Sequence, residues 1–212
     1  MNEQRIYKRG RLQPKDFPKE KRQSEISRII EALDSGKRLI IISGGRQAGK
    51  SSLGLFVTSE HCNEIDKTKV WIDLQGISDY QDFLMEFSDR LLDKLLDEDT
   101  PCEKLEAILL KKVGSLSNGL LLGLDETAKL VSEGSDIGKP ESRKQISNFL
   151  LNVKEACPAS SFIFAGTPEH ISQIQDITAS LFTEEEIENI NLRPIPQEER
   201  PYMTISDSVE AA

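Results

Sequence analysis

Leu39-Ile40-Ile41-Ile42-Ser43-Gly44-Gly45-Arg46-Gln47-Ala48-Gly49-Lys50-Ser51 is the most informative stretch of the chain. Its first four residues form a short, β-branched apolar run, the pattern of a strand buried on both faces. Gly44–Ser51 then fits GxxxxGK[ST], and a helical pattern follows from about Ser51. A glycine-rich turn between a buried strand and a helix lets successive backbone N–H groups face inward around an anion. The helix start adds the positive end of its dipole to the same point. Isolated matches to this pattern occur by chance, but here the strand and the helix stand where the mechanism needs them. Lys50 is expected to reach the β- and γ-phosphates of a nucleotide and the Ser51 hydroxyl to ligate Mg²⁺. The candidate nucleotide-binding residues are Gly44, Gly45, Arg46, Gln47, Ala48, Gly49, Lys50, Ser51 and Ser52.

Outward from this loop, strands alternate with helices. Glu20–Leu33 places Ile26, Ile29, Ile30 and Leu33 at helical spacing, and Asp34-Ser35-Gly36 stops the helix. Val70–Leu74 is a second strand, residues 79–97 a helix with one leucine- and phenylalanine-rich stripe, and a shorter helix follows Pro101. Leu120–Leu124 is the third strand and ends at Asp125-Glu126. After the polar loop Gly134–Pro140, a helix covers Glu141–Ala156. Phe162–Ala165 is the fourth strand, leading into Gly166-Thr167-Pro168, and a helix is predicted over 169–181. Ile187–Leu192 is the fifth strand, ended by Pro194 and Pro196. This alternation predicts an α/β three-layer sandwich, a central five-stranded parallel sheet with helices on both faces. Residues 1–19 read as a basic N-terminal arm, 20–196 as the core and 197–212 as a polar C-terminal tail.

Polar residues at the carboxyl ends of adjacent parallel strands converge on one crevice. Asp125 and Glu126 are both expected at that rim, Asp125 as the Mg²⁺ ligand and Glu126 as the general base that polarises the attacking water. Helix capping by Asp125 or Thr127 is the competing structural role. Thr167 follows an apolar strand, so its hydroxyl is a candidate for the γ-phosphate or the lytic water, with a turn role equally open. Asp73 suits a loop start. Trp71 reads as core, and neither His61 nor His170 has a metal partner at useful spacing.

The bulk numbers bound the rest. The chain has 212 residues, 37% hydrophobic and 30% charged, enough for one full domain. A net charge of -9 argues against general coating of nucleic acid. Residues 1–22, however, hold eight basic side chains against three acidic ones, so DNA or an acidic partner is open to the arm alone. Cys62, Cys102 and Cys157 show neither zinc nor disulfide spacing and are expected to be reduced, as in a cytoplasmic protein. No apolar run nears the roughly 20 residues that span a bilayer.

Taken together, these motifs resemble the AAA+/STAND branch of P-loop ATPases. Residues 44–53, Gly-Gly-Arg-Gln-Ala-Gly-Lys-Ser-Ser-Leu, resemble the Walker A loop of STAND-type and AAA-like prokaryotic ATPases. Arg22-Gln23-Ser24-Glu25 is similar to the R-x-x-E entry segment that packs near the adenine in that family. Leu120–Glu126 resembles Walker B and Phe162–Thr167 the sensor strand, and residues 190–195 look like the exit toward a helical lid. The resemblance implies ATP or ADP as ligand with Mg²⁺, and protein partners in a signalling, defence or DNA-mobility assembly. It also implies a sheet in which the phosphate-loop strand lies beside the sensor strand, with Walker B next outward.

Two departures accompany it. No Lys or Arg lies between Thr167 and Leu192, where ring-forming relatives place an arginine finger, which implies weak hydrolysis. Only residues 197–212 follow Pro196, so no lid is expected in this stretch. Three readings stand: a slow ATPase switch, a non-hydrolysing nucleotide-gated module, and a phosphoryl-transferring kinase. The adjacent Asp125-Glu126 pair argues against the kinase. Oligomeric state stays open.

Overall fold

The computed structural model describes residues 6–7, 12–92, 96–97, 99–132, 134–169, 177–196 and 202–203. Five strands, β2 (Leu39–Gly44), β3 (Thr68–Asp73), β4 (Leu120–Asp125), β5 (Ser161–Gly166) and β6 (Ile187–Leu192), form one sheet in the order β3-β4-β5-β2-β6. Every pairing within it is parallel. The predicted α/β sandwich is therefore the observed fold. β5, the expected sensor strand, lies between the phosphate-loop strand and β4, as the resemblance implied.

Period-two alternation along these apolar strands creates two cores. Leu39, Ile41, Val70, Ile72, Leu122 and Phe164 face one side, against α3 (Tyr80–Leu92), α4 (Cys102–Gly114) and α5 (Pro140–Ala156). Ile40, Ile42, Trp71, Leu121, Ile163 and Ile190 face the other, against α1 (Gln23–Asp34) and α2 (Lys50–Val57). Trp71 is buried in this second core. Its indole fills the space beside Gly54 and Gly123, where an added Cβ would come within 2.1 Å and 2.0 Å of ring carbons.

The helix expected from Glu20 begins later. Lys19–Arg22 is a 3₁₀ turn, and Arg22 sits at φ -127°, outside helical geometry, before α1 starts at Gln23. The helix predicted over 79–97 is described only to Leu92: residues 93–95 lie outside the described residues and 96–97 are not helical, while most of the helix predicted over 169–181 also lies outside them. Within the stretch read as an arm, Phe17 packs against the second core. Phe17 stacks on Phe56 with ring centroids 4.7 Å apart, and Lys19 pairs with Glu64 at 3.1 Å. Ile6–Tyr7 (β1) pairs antiparallel with Tyr202–Met203 (β7), a contact for which the sequence carries no periodic signal. Among the described residues, no helix is long and apolar enough to cross a membrane.

Candidate functional site

Parallel pairing brings every strand's carboxyl end to one rim. Gly44 is in register with Leu192, Ser43 with Gly166 and Asp73 with Asp125. The phosphate-loop residues, Thr167 and the Asp125-Glu126 pair therefore share one edge of the sheet.

Close packing and backbone handedness shape the loop. A Cβ on Gly44 would stand 2.6 Å from the Leu192 carbonyl oxygen, so only glycine lets β2 end this close to β6. Gln47 and Gly49 both take left-handed conformations, at φ 62° and 89°. Left-handed residues alternating with right-handed ones turn successive amides toward a common centre, the form of an anion nest. Gly45, Arg46 and Gln47 are exposed while Ala48 is buried, so the turn stands open on one side and is anchored on the other.

Lys50 opens α2, and its ammonium lies back across the turn, donating to the carbonyl oxygens of Gly44 at 3.1 Å and Gly45 at 3.0 Å. Partial burial lowers its pKa from the ordinary value, against the opposing pull of the Glu126 and Asp125 carboxylates. The Ser51 hydroxyl donates to Asp125 Oδ1 at 3.0 Å. Ser52 behaves differently. Its side chain is buried and its hydroxyl accepts the Leu12 N–H at 3.0 Å, tying the N-terminal segment to α2.

The acidic pair needs one correction. Asp125 and Glu126 were both expected at the rim, but Asp125 is 1% exposed while Glu126 is exposed. Asp125 is the last residue of β4, and its burial is compensated by the bonds from Ser51 and from the Glu126 N–H at 3.0 Å. Glu126 occupies the left-handed region at φ 51°, ψ 41°. A non-glycine residue held there stores roughly 1–3 kcal/mol of backbone strain. The turn lifts the Glu126 carboxylate clear of the sheet. Thr127 caps nothing: it is fully buried and its hydroxyl donates to the Ala165 carbonyl at 2.9 Å, tying the end of β4 to β5.

Thr167 follows β5 and is half-buried, emerging between the phosphate-loop strand and the Asp125-Glu126 tip. Asp73 caps its own turn, accepting the Gln75 N–H at 3.0 Å. His61 is exposed, and His170 lies outside the described residues. Among the described residues, no group of three His, Cys, Asp or Glu side chains is placed to hold a metal by itself. The Ser51 hydroxyl and Asp125 carboxylate nevertheless form the hard-oxygen pair that suits Mg²⁺, an ion that normally completes its shell with water and phosphate oxygens.

Arg22 was not among the predicted site residues. It is 5% exposed, and its guanidinium donates to the carbonyl oxygens of Ala48 and Arg193, each at 2.8 Å. The Arg22…Glu25 spacing, an i,i+3 pair at a helix start, was the available signal.

No family model and no curated protein matches the chain. Solved structures do resemble it. The ORC2 protein of Aeropyrum pernix, in ADPNP–ADP complexes, is 15% identical with a TM-score of 0.57, over 90% of this chain and 50% of that one. The ORC1 protein of the same organism, in complex with DNA, is 12% identical with a TM-score of 0.57, over 89% and 48%. Cdc6p from Pyrobaculum aerophilum is 12% identical with a TM-score of 0.53, over 84% and 46%. At these identities the likeness is one of fold alone, the five-stranded parallel sheet with helices on both faces. The chain spans about half the length of these structures.

Proposed function

We propose that this chain binds Mg·ATP in the Gly44–Ser51 loop and hydrolyses it slowly, as a nucleotide switch within a larger assembly. The observation that carries this reading is the apposition of Ser51 and Asp125 at 3.0 Å, beneath a nest-forming turn and beside an exposed Glu126. The loop amides and Lys50 grip the β- and γ-phosphates, and the Lys50 ammonium exchanges its carbonyl partners for phosphate oxygens. Ser51 and Asp125 would hold Mg²⁺, and the ion would supply charge neutralisation at the phosphates when bound. Glu126 takes the proton of the attacking water, and Thr167 orients that water or the γ-phosphate from the neighbouring strand tip. The nucleotide in the ORC2 structures of like fold supports the choice of ligand.

The slow rate follows from the absence of any Lys or Arg between Thr167 and Leu192. STAND-type kinship, a cytoplasmic setting and protein partners belong to the same proposal. Contact with DNA through residues 1–19 is a further part of it, supported by that segment's charge and by the DNA in the ORC1 structure. Deletion of residues 1–19 should weaken any DNA binding and flatten its salt dependence.

The test is phosphate release by the parent protein and by Glu126→Gln, each with Mg²⁺ and with chelator. Mg²⁺-dependent turnover that Glu126→Gln abolishes while ATP still binds is the expected result. Binding without turnover in the parent would instead establish a non-hydrolysing module.

A further inference from the structure

Arg22 is the only buried basic side chain among the described residues. Its three bonds reach three separate segments. Nη1 donates to Glu25 Oε1 at 2.7 Å at the start of α1, and Nη2 donates to Ala48 in the phosphate loop and to Arg193 in the chain leaving β6. A buried guanidinium with every contact on a carboxylate or carbonyl is well compensated, and its planar fork fixes the relative positions of its partners. The segment that delivers it is itself fastened along α2, by Leu12 on Ser52 and Phe17 on Phe56.

We propose that Arg22 is a positioning residue that sets the shape of the phosphate loop and couples phosphate occupancy to the placement of residues 193–196. The inference rests on the nucleotide-binding reading above. In a trans peptide the carbonyl and the following N–H point in opposite directions. Holding the Ala48 carbonyl toward Arg22 therefore turns the Gly49 N–H away from it. Gly49 is left-handed at φ 89°, and its Cβ position lies 3.9 Å from Arg22 Nη2, so the guanidinium also borders the helix start. A shift of the Ala48–Gly49 peptide on phosphate binding is transmitted through one Nη2 atom to the Arg193 carbonyl. The chain that follows β6 is thereby informed of the state of the loop.

Lysine keeps the charge but cannot bridge both carbonyls and Glu25 in one plane. In Arg22→Lys, Mg·ATP affinity should fall about tenfold while the turnover rate at saturation stays within about twofold. Hydrogen exchange in nucleotide-free protein should rise in residues 45–51 and at 193 and 195 together, and nucleotide should no longer protect 193 and 195. Glu25→Ala, which removes the partner that orients the fork along with an exposed bond from the Ser24 hydroxyl, should weaken affinity about threefold, and it decides the matter where Arg22→Lys does not fold. A folded Arg22→Lys protein with parental affinity, exchange changes confined to one segment, or parental affinity in Glu25→Ala each overturn the proposal. A parent that takes up no nucleotide overturns the functional reading instead, and the exchange comparison without nucleotide then decides whether Arg22 ties the two segments.

Discussion

Ser51 and Asp125, 74 positions apart in the chain, meet as donor and acceptor at 3.0 Å. The contact joins the first turn of α2 to the tip of β4 across the intervening β5. Replacing Asp125 by Ala strands both the Ser51 hydroxyl and the Glu126 N–H. Both groups are only partly buried, so losing these bonds should cost about 1 kcal/mol. Asp125→Asn preserves the packing and removes the charge. Denaturant unfolding should separate the two variants in stability, while both lose the Mg²⁺ dependence of ATP binding.

Thr127 makes a second tie at the same strand tip, from the end of β4 to β5. Its hydroxyl donates to the Ala165 carbonyl from a fully buried position. Thr127→Val keeps the shape and removes the donor, at a cost of about 1–2 kcal/mol in unfolding free energy. Because the bond aligns the turn that carries Glu126 with the strand that carries Thr167, turnover should fall more than ATP affinity. Steady-state kinetics alongside an ATP titration would check this split.

Trp71 makes two glycines indispensable. A methyl group at Gly54 or Gly123 would enter the indole. Gly54→Ala would gain helix propensity at an exposed site, but here overpacking should dominate and destabilise the protein by about 1–3 kcal/mol. Thermal melting of Gly54→Ala, with Trp71→Phe as a compensating second change, tests the assignment. Rescue by the smaller ring is the expected outcome.

Glu186 gives the acid limb of stability a named contributor. Burial raises its pKa, but the Thr183 N–H at 2.9 Å and Lys154 at 3.0 Å outweigh this and hold it below the ordinary 4.5. A carboxylate depressed in the folded state stabilises it fully above the unfolded pKa, and that contribution is lost as pH falls through the lower folded value. The stability gap between the parent and Glu186→Gln should be constant above pH 5 or so and should close below about 4.5. A gap that widens on acidification would contradict the assignment.

The strands and the phosphate loop were legible because their signals are local. Leu39–Ile42 and Leu120–Leu124 are apolar runs buried on both faces, and Gly44–Ser51 carries its chemistry in eight consecutive residues. Asp125 was placed on the correct strand tip but at the wrong depth, since its burial depends on a hydroxyl 74 residues away. Arg22 was read only through its resemblance to an R-x-x-E entry segment, and its tie to the phosphate loop went unseen for the same reason. Its partners Ala48 and Arg193 are 26 and 171 positions distant and contribute only carbonyl oxygens, which no side-chain pattern reveals. The pairing of Ile6–Tyr7 with Tyr202–Met203 joins near-opposite ends of the chain and was equally invisible.

Grip on the triphosphate by the Gly44–Ser51 loop underlies every functional statement made above, and Lys50 is its most exacting probe. Titration of ATP with Mg²⁺ into the parent and into a folded Lys50→Ala protein measures it directly. The expected result is saturable binding by the parent and affinity reduced at least about a hundredfold in the variant, the loss of a charge-assisted contact to phosphate. Equal affinity in the two proteins would contradict it.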